Sequence, residues 1–296
     1  MISKFLIYFR AIRGLELFLM LGSPVLGLLF ARQSEGHKHF HILHYLIFLV
    51  STYCLAGHVY AYNSWAGLKA DLKDRSKEKF PLMEGKISIK EMYTLSFILL
   101  LTALLGYFVL NKHLVIVSLI NALLWVLYCD PRILFKSKPI LGSLIHFFAG
   151  ILNFLLGYLF IKNLDMNGIL LGLYFTIIFV GGHLNHEIRD YEADKINNYK
   201  TNAICWGKKL IFIMSFSLFS YSNIHLILLA KNKIVDINII VPLLILYPLY
   251  IYFSYITMRE GLKFQEMDNF RNRYRILYAL YGIYMAVYLL YKQVII

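Results

Sequence analysis

Long apolar runs separated by short polar segments recur along the whole chain. Nine such runs fall at about residues 15–31, 42–61, 92–110, 113–129, 140–161, 167–184, 209–229, 237–257 and 276–295. A helix needs ~20 apolar residues to cross a bilayer, and each run approaches that length. The pattern predicts an all-α membrane protein, a bundle of nine transmembrane helices forming a single integral-membrane domain over residues 1–296. The first 14 residues, with Lys4, Arg10 and Arg13, read as an interfacial segment. They are not a signal peptide, because no small-residue cleavage site follows a short apolar core. No soluble domain, low-complexity linker or short-period repeat interrupts the series. The second and sixth runs both lead into acidic loops, a hint of distant internal duplication.

The basic residues orient the bundle. Of the 30 Lys and Arg residues, 23 lie in the N-terminal segment and the loops after runs two, four, six and eight, and 7 on the other side. The positive-inside rule places the richer side, with the N-terminus, in the cytoplasm. The same asymmetry underlies the net charge of +13, which favours anionic membrane lipids as neighbours. Nucleic acid is not an expected partner, since the cations are dispersed among loops between spans. Composition agrees with the class: 59% of residues are hydrophobic and 16% charged, against about a quarter charged in soluble domains. Cys54, Cys129 and Cys205 are isolated, which suggests neither a disulfide framework nor a zinc site.

Two acidic stretches carry the candidate chemistry, both on the cytoplasmic side. They are Asn63–Asp74 (NSWAGLKADLKD) and Glu187–Thr201 (EIRDYEADKINNYKT). Glu187, Asp190 and Asp194 stand at i, i+3 and i+7, so on one helix they share a face. Carboxylates clustered beside hydrocarbon need a cation nearby. Oxygen ligands of this kind suit Mg²⁺, which keeps waters and shares itself with substrate phosphates. Arg189, Lys195 and Lys200 alternate with the acids and can grip phosphate oxygens directly. Asn198 fits a left-handed residue that ends the helix and turns the chain back. A solvated, salt-bridged loop marking the membrane edge is the plainer reading of the same charges.

The second stretch resembles the second aspartate motif of the UbiA-type intramembrane prenyltransferases, D-x3-D-x3-G-x2-T. Asp190, Asp194 and Thr201 match in spacing, with Asn198 at the glycine position. The segment from Tyr128 through Pro131 to Lys136 is similar to the Y-s-x-P-x-x-x-x-K segment after that family's fourth span. Gly85-Lys86-Ile87-Ser88 is similar to the G-R-I-S that opens its third. Nine helices with acidic loops after the second and sixth is also that family's architecture, so the likeness covers nearly the whole chain. The first motif departs from the family's N-D-x2-D-x3-D. Aligned on Asn63 and Asp71, the chain has Ser64 and Gly67 where two acids stand in the family; Asp74 is an additional acid.

The resemblance implies a central cavity opening to the cytoplasmic side and Mg²⁺-dependent transfer of a prenyl group. The donor would be a polyprenyl diphosphate, and the acceptor a lipid-soluble molecule, commonly an electron-rich aromatic ring. Asp190, Asp194, Asn63 and Asp71 would hold the metal and carry catalysis, with Asp74 a further ligand. Arg189, Lys195, Lys200, Lys69 and Arg132 would contact the diphosphate. Glu187 would be a third ligand or an acceptor-binding group. Two readings of the altered first motif stay open: a metal held with fewer carboxylates, or a site turned to another donor or to binding without catalysis. A polytopic transporter is a third function, disfavoured because its charges would sit near the bilayer midplane. His58 either faces the cavity or bonds a neighbouring carbonyl. Asn153, Asn223 and His225 read as interhelical hydrogen-bonding groups, and Gly181-Gly182 as a loosened helix end before the second motif.

Overall fold

Each apolar run folds as helix in the computed structural model, which describes residues 4–35, 41–73 and 80–295. In chain order the helices are α1 (Lys4–Ala11), α2 (Gly14–Met20), α3 (Gly22–Glu35), α4 (Ile42–Ala66), α5 (Leu68–Asp71), α6 (Ile89–Leu110) and α7 (Lys112–Cys129). They continue as α8 (Leu141–Ile161), α9 (Met166–Arg189), α10 (Tyr191–Ile196), α11 (Asn202–Trp206), α12 (Lys208–Lys231), α13 (Leu243–Arg259) and α14 (Phe264–Ile295). No strand occurs among the described residues. Eight helical stretches there are long and apolar enough to cross a membrane. The C-terminal run is helical within α14 but is not one of the eight. Five tyrosines between Tyr278 and Tyr291, followed by Lys292 and Gln293, dilute its hydropathy.

Local signals set several boundaries. Ser88 caps α6 reciprocally: its Oγ accepts from Glu91 N at 3.1 Å, and Glu91 Oε2 accepts from Ser88 N at 2.8 Å. Asp165 Oδ1 accepts from Gly168 N at 2.8 Å and starts α9. Other boundaries differ from the sequence expectation. The first run is divided at Leu21 into α2 and α3, and the eighth begins as a 3₁₀ turn at Ile237–Ile240. Helix α9 runs unbroken through Gly181 and Gly182 to Arg189, so these glycines do not loosen its end. Gly181 is instead a packing position: a Cβ there would lie 2.9 Å from the Phe219 ring of α12.

Neighbouring helices are α3 with α8, α4 with α6, α8 with α9, and α9 with α12. Apolar attraction cannot hold helices together inside hydrocarbon, so close backbone approach and polar bonds must. Gly27 and Gly157 supply the first. A Cβ on Gly157 would fall 1.7 Å from Pro24 O, and one on Gly27 2.2 Å from Phe154 O, so α3 and α8 touch backbone to backbone. His58 supplies the second: its Nδ1 lies 3.0 Å from Ser96 O and 2.9 Å from Ser96 Oγ, joining α4 to α6. His225 Nε2 similarly lies 2.8 Å from Leu170 O, joining α12 to α9. Buried aromatic rings fill the interior, among them Phe48, Phe154, Tyr174 and Phe219. Phe97, Phe108 and Leu244 are exposed on the outside, as a lipid-facing surface requires.

Candidate active site

A cavity of about 470 Å³ opens at the end of the bundle where α4 and α9 give way to their acidic loops. Helix α4 ends at Ala66, and Gly67 carries the chain with right-handed geometry (φ −82°) straight into α5. Asn63 and Asp71 therefore stay on one side and both line the cavity. Helix α9 ends at Arg189, and Asp190 is the joint from which α10 departs. Asp190 and Asp194 line the cavity as well. Asn198, at φ 55°, closes α10 in the left-handed region.

Hydrogen bonds bring the two acidic segments together. Asn197 Nδ2 donates to Ala193 O at 3.0 Å within its own loop and to Ala70 O at 3.4 Å beside Asp71. The loop after α7 joins them, since Lys200 N donates to Ser137 O at 3.0 Å and Ile140 N to Asn202 Oδ1 at 2.7 Å. Glu187 is buried, and both its oxygens are engaged: Oε1 accepts from Asn202 Nδ2 at 2.9 Å and Oε2 from Ala203 N at 3.1 Å. It thus braces the loop after α10 while facing the cavity.

Charge is concentrated at the cavity mouth. Burial, then the charges of Asp190 and Glu187, push the Asp194 carboxyl up to about 7, opposed by Lys136. Burial and the charges of Asp194 and Asp71 also raise the Tyr199 phenol. Lys136 Nζ lies 5.4 Å from the centre of the Tyr199 ring. A Cβ on Gly67 would lie 3.6 Å from Asp71 Oδ2 and 3.6 Å from Lys136 Nζ. The flank left open by the missing acid at position 67 is therefore where this carboxylate and this ammonium approach. Arg189 clamps Asp190 bidentately, with Nε to Oδ1 at 2.7 Å and a terminal nitrogen to Oδ2 at 2.9 Å. Arg13, Arg271 and Arg275 complete the cationic lining.

Of the residues singled out from sequence, Asn63, Asp71, Glu187, Arg189, Asp190 and Asp194 share this cavity. Lys69, Lys195 and Lys200 are exposed and outside its lining. Arg132 turns away: its guanidinium holds Asp130 at 2.9 Å while 86% of its side chain is exposed. That hydrogen-bonded pairing keeps the Asp130 carboxyl well below the usual range. Asp74 lies outside the described residues. Sequence reasoning missed Lys136, Arg13, Arg271 and Arg275. Lys136 was within reach, because it ends the quoted Tyr128–Lys136 segment. The α14 arginines sit some eighty residues beyond the second motif and carry no local signal.

The donors fit Mg²⁺. They are oxygens only, and one carboxyl is destabilised in its charged form by burial and by its acidic neighbours, which a cation offsets. Among the described residues no three His, Cys, Asp or Glu side chains converge into a ready cage. That suits an ion completing its shell with substrate phosphate and water.

The fold and site together define a multi-pass, all-helical integral membrane protein with an internal chamber that is charged at its mouth and aromatic within. The chain belongs to the UbiA prenyltransferase family, whose model matches residues 21–270. It is 24% identical over 183 residues to digeranylgeranylglyceryl phosphate synthase of Methanosphaera stadtmanae, a match covering 62% of this chain and 66% of that relative's length. Among solved structures, a UbiA homologue from Archaeoglobus fulgidus bound to GPP and Mg²⁺ superposes with a TM-score of 0.72 at 19% identity, over 95% of this chain and 99% of that one. A structure concerned with digeranylgeranylglyceryl phosphate synthase in membranes gives 0.71 at 23% identity, over 96% and 98%. The apo UbiA homologue from Aeropyrum pernix gives 0.72 at 15% identity, over 92% and 97%. At these identities the likeness is one of fold.

Proposed function

We propose that this protein transfers a prenyl group from a polyprenyl diphosphate to a lipid-soluble acceptor inside the membrane, with Mg²⁺ as cofactor. The observation that carries the reading is the gathering of Asn63, Asp71, Glu187, Asp190 and Asp194 from two separate segments at the mouth of one cavity with an apolar wall. Such a mouth suits an anionic head group with its metal, and such a wall suits its hydrocarbon. Asp190, Asp194, Asn63 and Asp71 would hold Mg²⁺. Bound there, the ion neutralises diphosphate charge and makes it a better leaving group. Lys136, Arg189 and Arg271 bind phosphate oxygens by charge-assisted hydrogen bonds. Leu55, Val59, Phe175, Ile178 and Phe179 receive the chain, each buried CH₂ contributing ~0.8 kcal/mol. Trp125 and Tyr128 line the same chamber, where aromatic rings stabilise developing positive charge and exclude water.

Two acceptors are in view. An aromatic ring is the family's common nucleophile, whereas the curated relative's name specifies a glyceryl phosphate product. The match to that relative favours a glyceryl hydroxyl. A second functional reading rests on Gly67 and Ser64: a member that grips the diphosphate without ionising it. The topology belongs to the same proposal. The C-terminal part of α14 is a ninth crossing, and the N-terminus and cavity mouth face the cytoplasm.

The test is product formation by purified protein in nanodiscs given a labelled prenyl diphosphate and a panel of glyceryl and aromatic acceptors, with Mg²⁺ or with chelator. Product only with Mg²⁺ is expected, and the double substitution Asp190→Asn, Asp194→Asn abolishes it in folded protein. Full activity of that double variant would discredit the assigned site. Tight donor binding without diphosphate release would favour the second reading.

A further inference from the structure

Below the charged mouth, the wall formed by α7, α8 and α9 contains two histidines that the diphosphate site does not use. His146 of α8 and His183 of α9 stack with ring centres 3.7 Å apart and planes 14° from parallel. Both are buried and both line the cavity. His146 Nδ1 lies 2.9 Å from Gly142 O one turn back on its own helix. A carbonyl only accepts, so Nδ1 carries the proton and Nε2 keeps the lone pair. With Nδ1 drawn back to the helix, the Nε2 edge is the one turned outward from α8. Trp125, Tyr128 and Phe179 fix the ring's plane at centre-to-centre distances of 5.1, 4.9 and 5.2 Å. Behind it, His183 Nε2 stands 3.1 Å from Glu187 Oε1 without an aligned hydrogen bond. Glu187 is itself pinned by Asn202 and Ala203.

An ionisable column in a membrane interior is costly, and helix packing alone does not call for one. From these observations the geometry points to His146 as a catalytic residue, the base that takes the proton from an acceptor hydroxyl, with His183 and Glu187 as positioning residues behind it. The inference rests on the proposed prenyl transfer to a hydroxyl. As the C1–O bond of the donor breaks, its electron pair leaves with the diphosphate. The acceptor oxygen supplies the pair that forms the new C1–O bond, and its proton passes to His146 Nε2. The imidazolium then returns that proton to water or to departing diphosphate at the mouth. The sum is an alcohol and a prenyl diphosphate giving an ether and protonated diphosphate. His183, stacked on His146, and Glu187, 3.1 Å from His183 Nε2, hold the imidazole in place for that transfer.

The experiment compares wild type with His146→Ala and His146→Gln in nanodiscs. Three quantities are read: kcat for transfer, KM for the donor, and displacement of a non-ionisable prenyl thiodiphosphate. A general base is worth ~10²–10⁴-fold. Transfer to an alkyl alcohol is expected to fall by that factor in both variants, with donor KM and thiodiphosphate affinity within about threefold of wild type. The defect should shrink as the acceptor is made more acidic, through a fluorinated alcohol to a thiol, because such nucleophiles need less help. If His146→Ala does not fold, His146→Gln, which keeps an amide at the Gly142 carbonyl, is decisive. Wild-type rates in either folded variant overturn the proposal. So does a defect equal for all acceptors and accompanied by loss of thiodiphosphate binding, which marks a packing role. Absence of any product from wild type with every acceptor would instead sink the prenyl-transfer reading itself.

Discussion

Asparagine at position 194 should make this protein more stable and less active. The carboxyl of Asp194 is lifted from 3.8 to about 7 by burial and by Asp190 and Glu187. A folded-state value above the unfolded one means that the folded protein holds the proton more tightly. The stability so conferred is full below about pH 4, declines as pH rises, and is gone above about 7. Over that window the loss amounts to about 4 kcal/mol. Asparagine remains neutral throughout, so Asp194→Asn avoids the decline. In chelator at pH 8 the variant is expected to exceed wild type by ~2–4 kcal/mol, since the amide still carries some cost of polar burial. At pH 5.5 the advantage should be about half as large, and near pH 4 it should vanish. The assay is thermal unfolding in nanodiscs at a fixed scan rate over pH 4–8, with and without Mg²⁺. Saturating Mg²⁺ should close most of the gap by stabilising only wild type, while prenyl transfer by the variant is lost. Equal melting at pH 8 in chelator, or the same pH slope for both proteins, would refute the account of a crowded, cation-seeking carboxylate.

Further outcomes follow from the packing and the cation placement. Gly157→Ala inserts a methyl 1.7 Å from Pro24 O, so α3 and α8 must separate by more than 1 Å to restore contact; a loss of ~2–3 kcal/mol is expected in thermal unfolding, and unchanged melting would contradict the backbone contact. Lys136→Met should raise the KM for donor by tenfold or more, whereas Arg132→Ala should change it less than about threefold, because Arg132 is spent on Asp130 at the surface. The reverse ranking in steady-state kinetics would show the wrong cation assigned to the chamber.

The sequence by itself determined the all-helical membrane class, because runs of some twenty apolar residues leave the backbone no alternative to helix in hydrocarbon. It also marked the acidic segments, since carboxylates next to such runs are rare, and the turn at Asn198, whose residue type tolerates left-handed backbone. Only the tertiary structure decided which cations enter the chamber. Lys136 and Arg132 lie four residues apart, yet the left-handed Leu134 (φ 51°) and the 3₁₀ turn after it send one inward and leave the other on Asp130. Arg271 and Arg275 reach the mouth from a helix that local sequence cannot connect to Asp190. The stacking of His146 on His183 depends on α8 packing against α9, and the role of Gly181 on α9 packing against α12. Periodicity reports which face of a helix avoids lipid, but not which helix it meets. The chemistry of the chamber wall arises from those meetings.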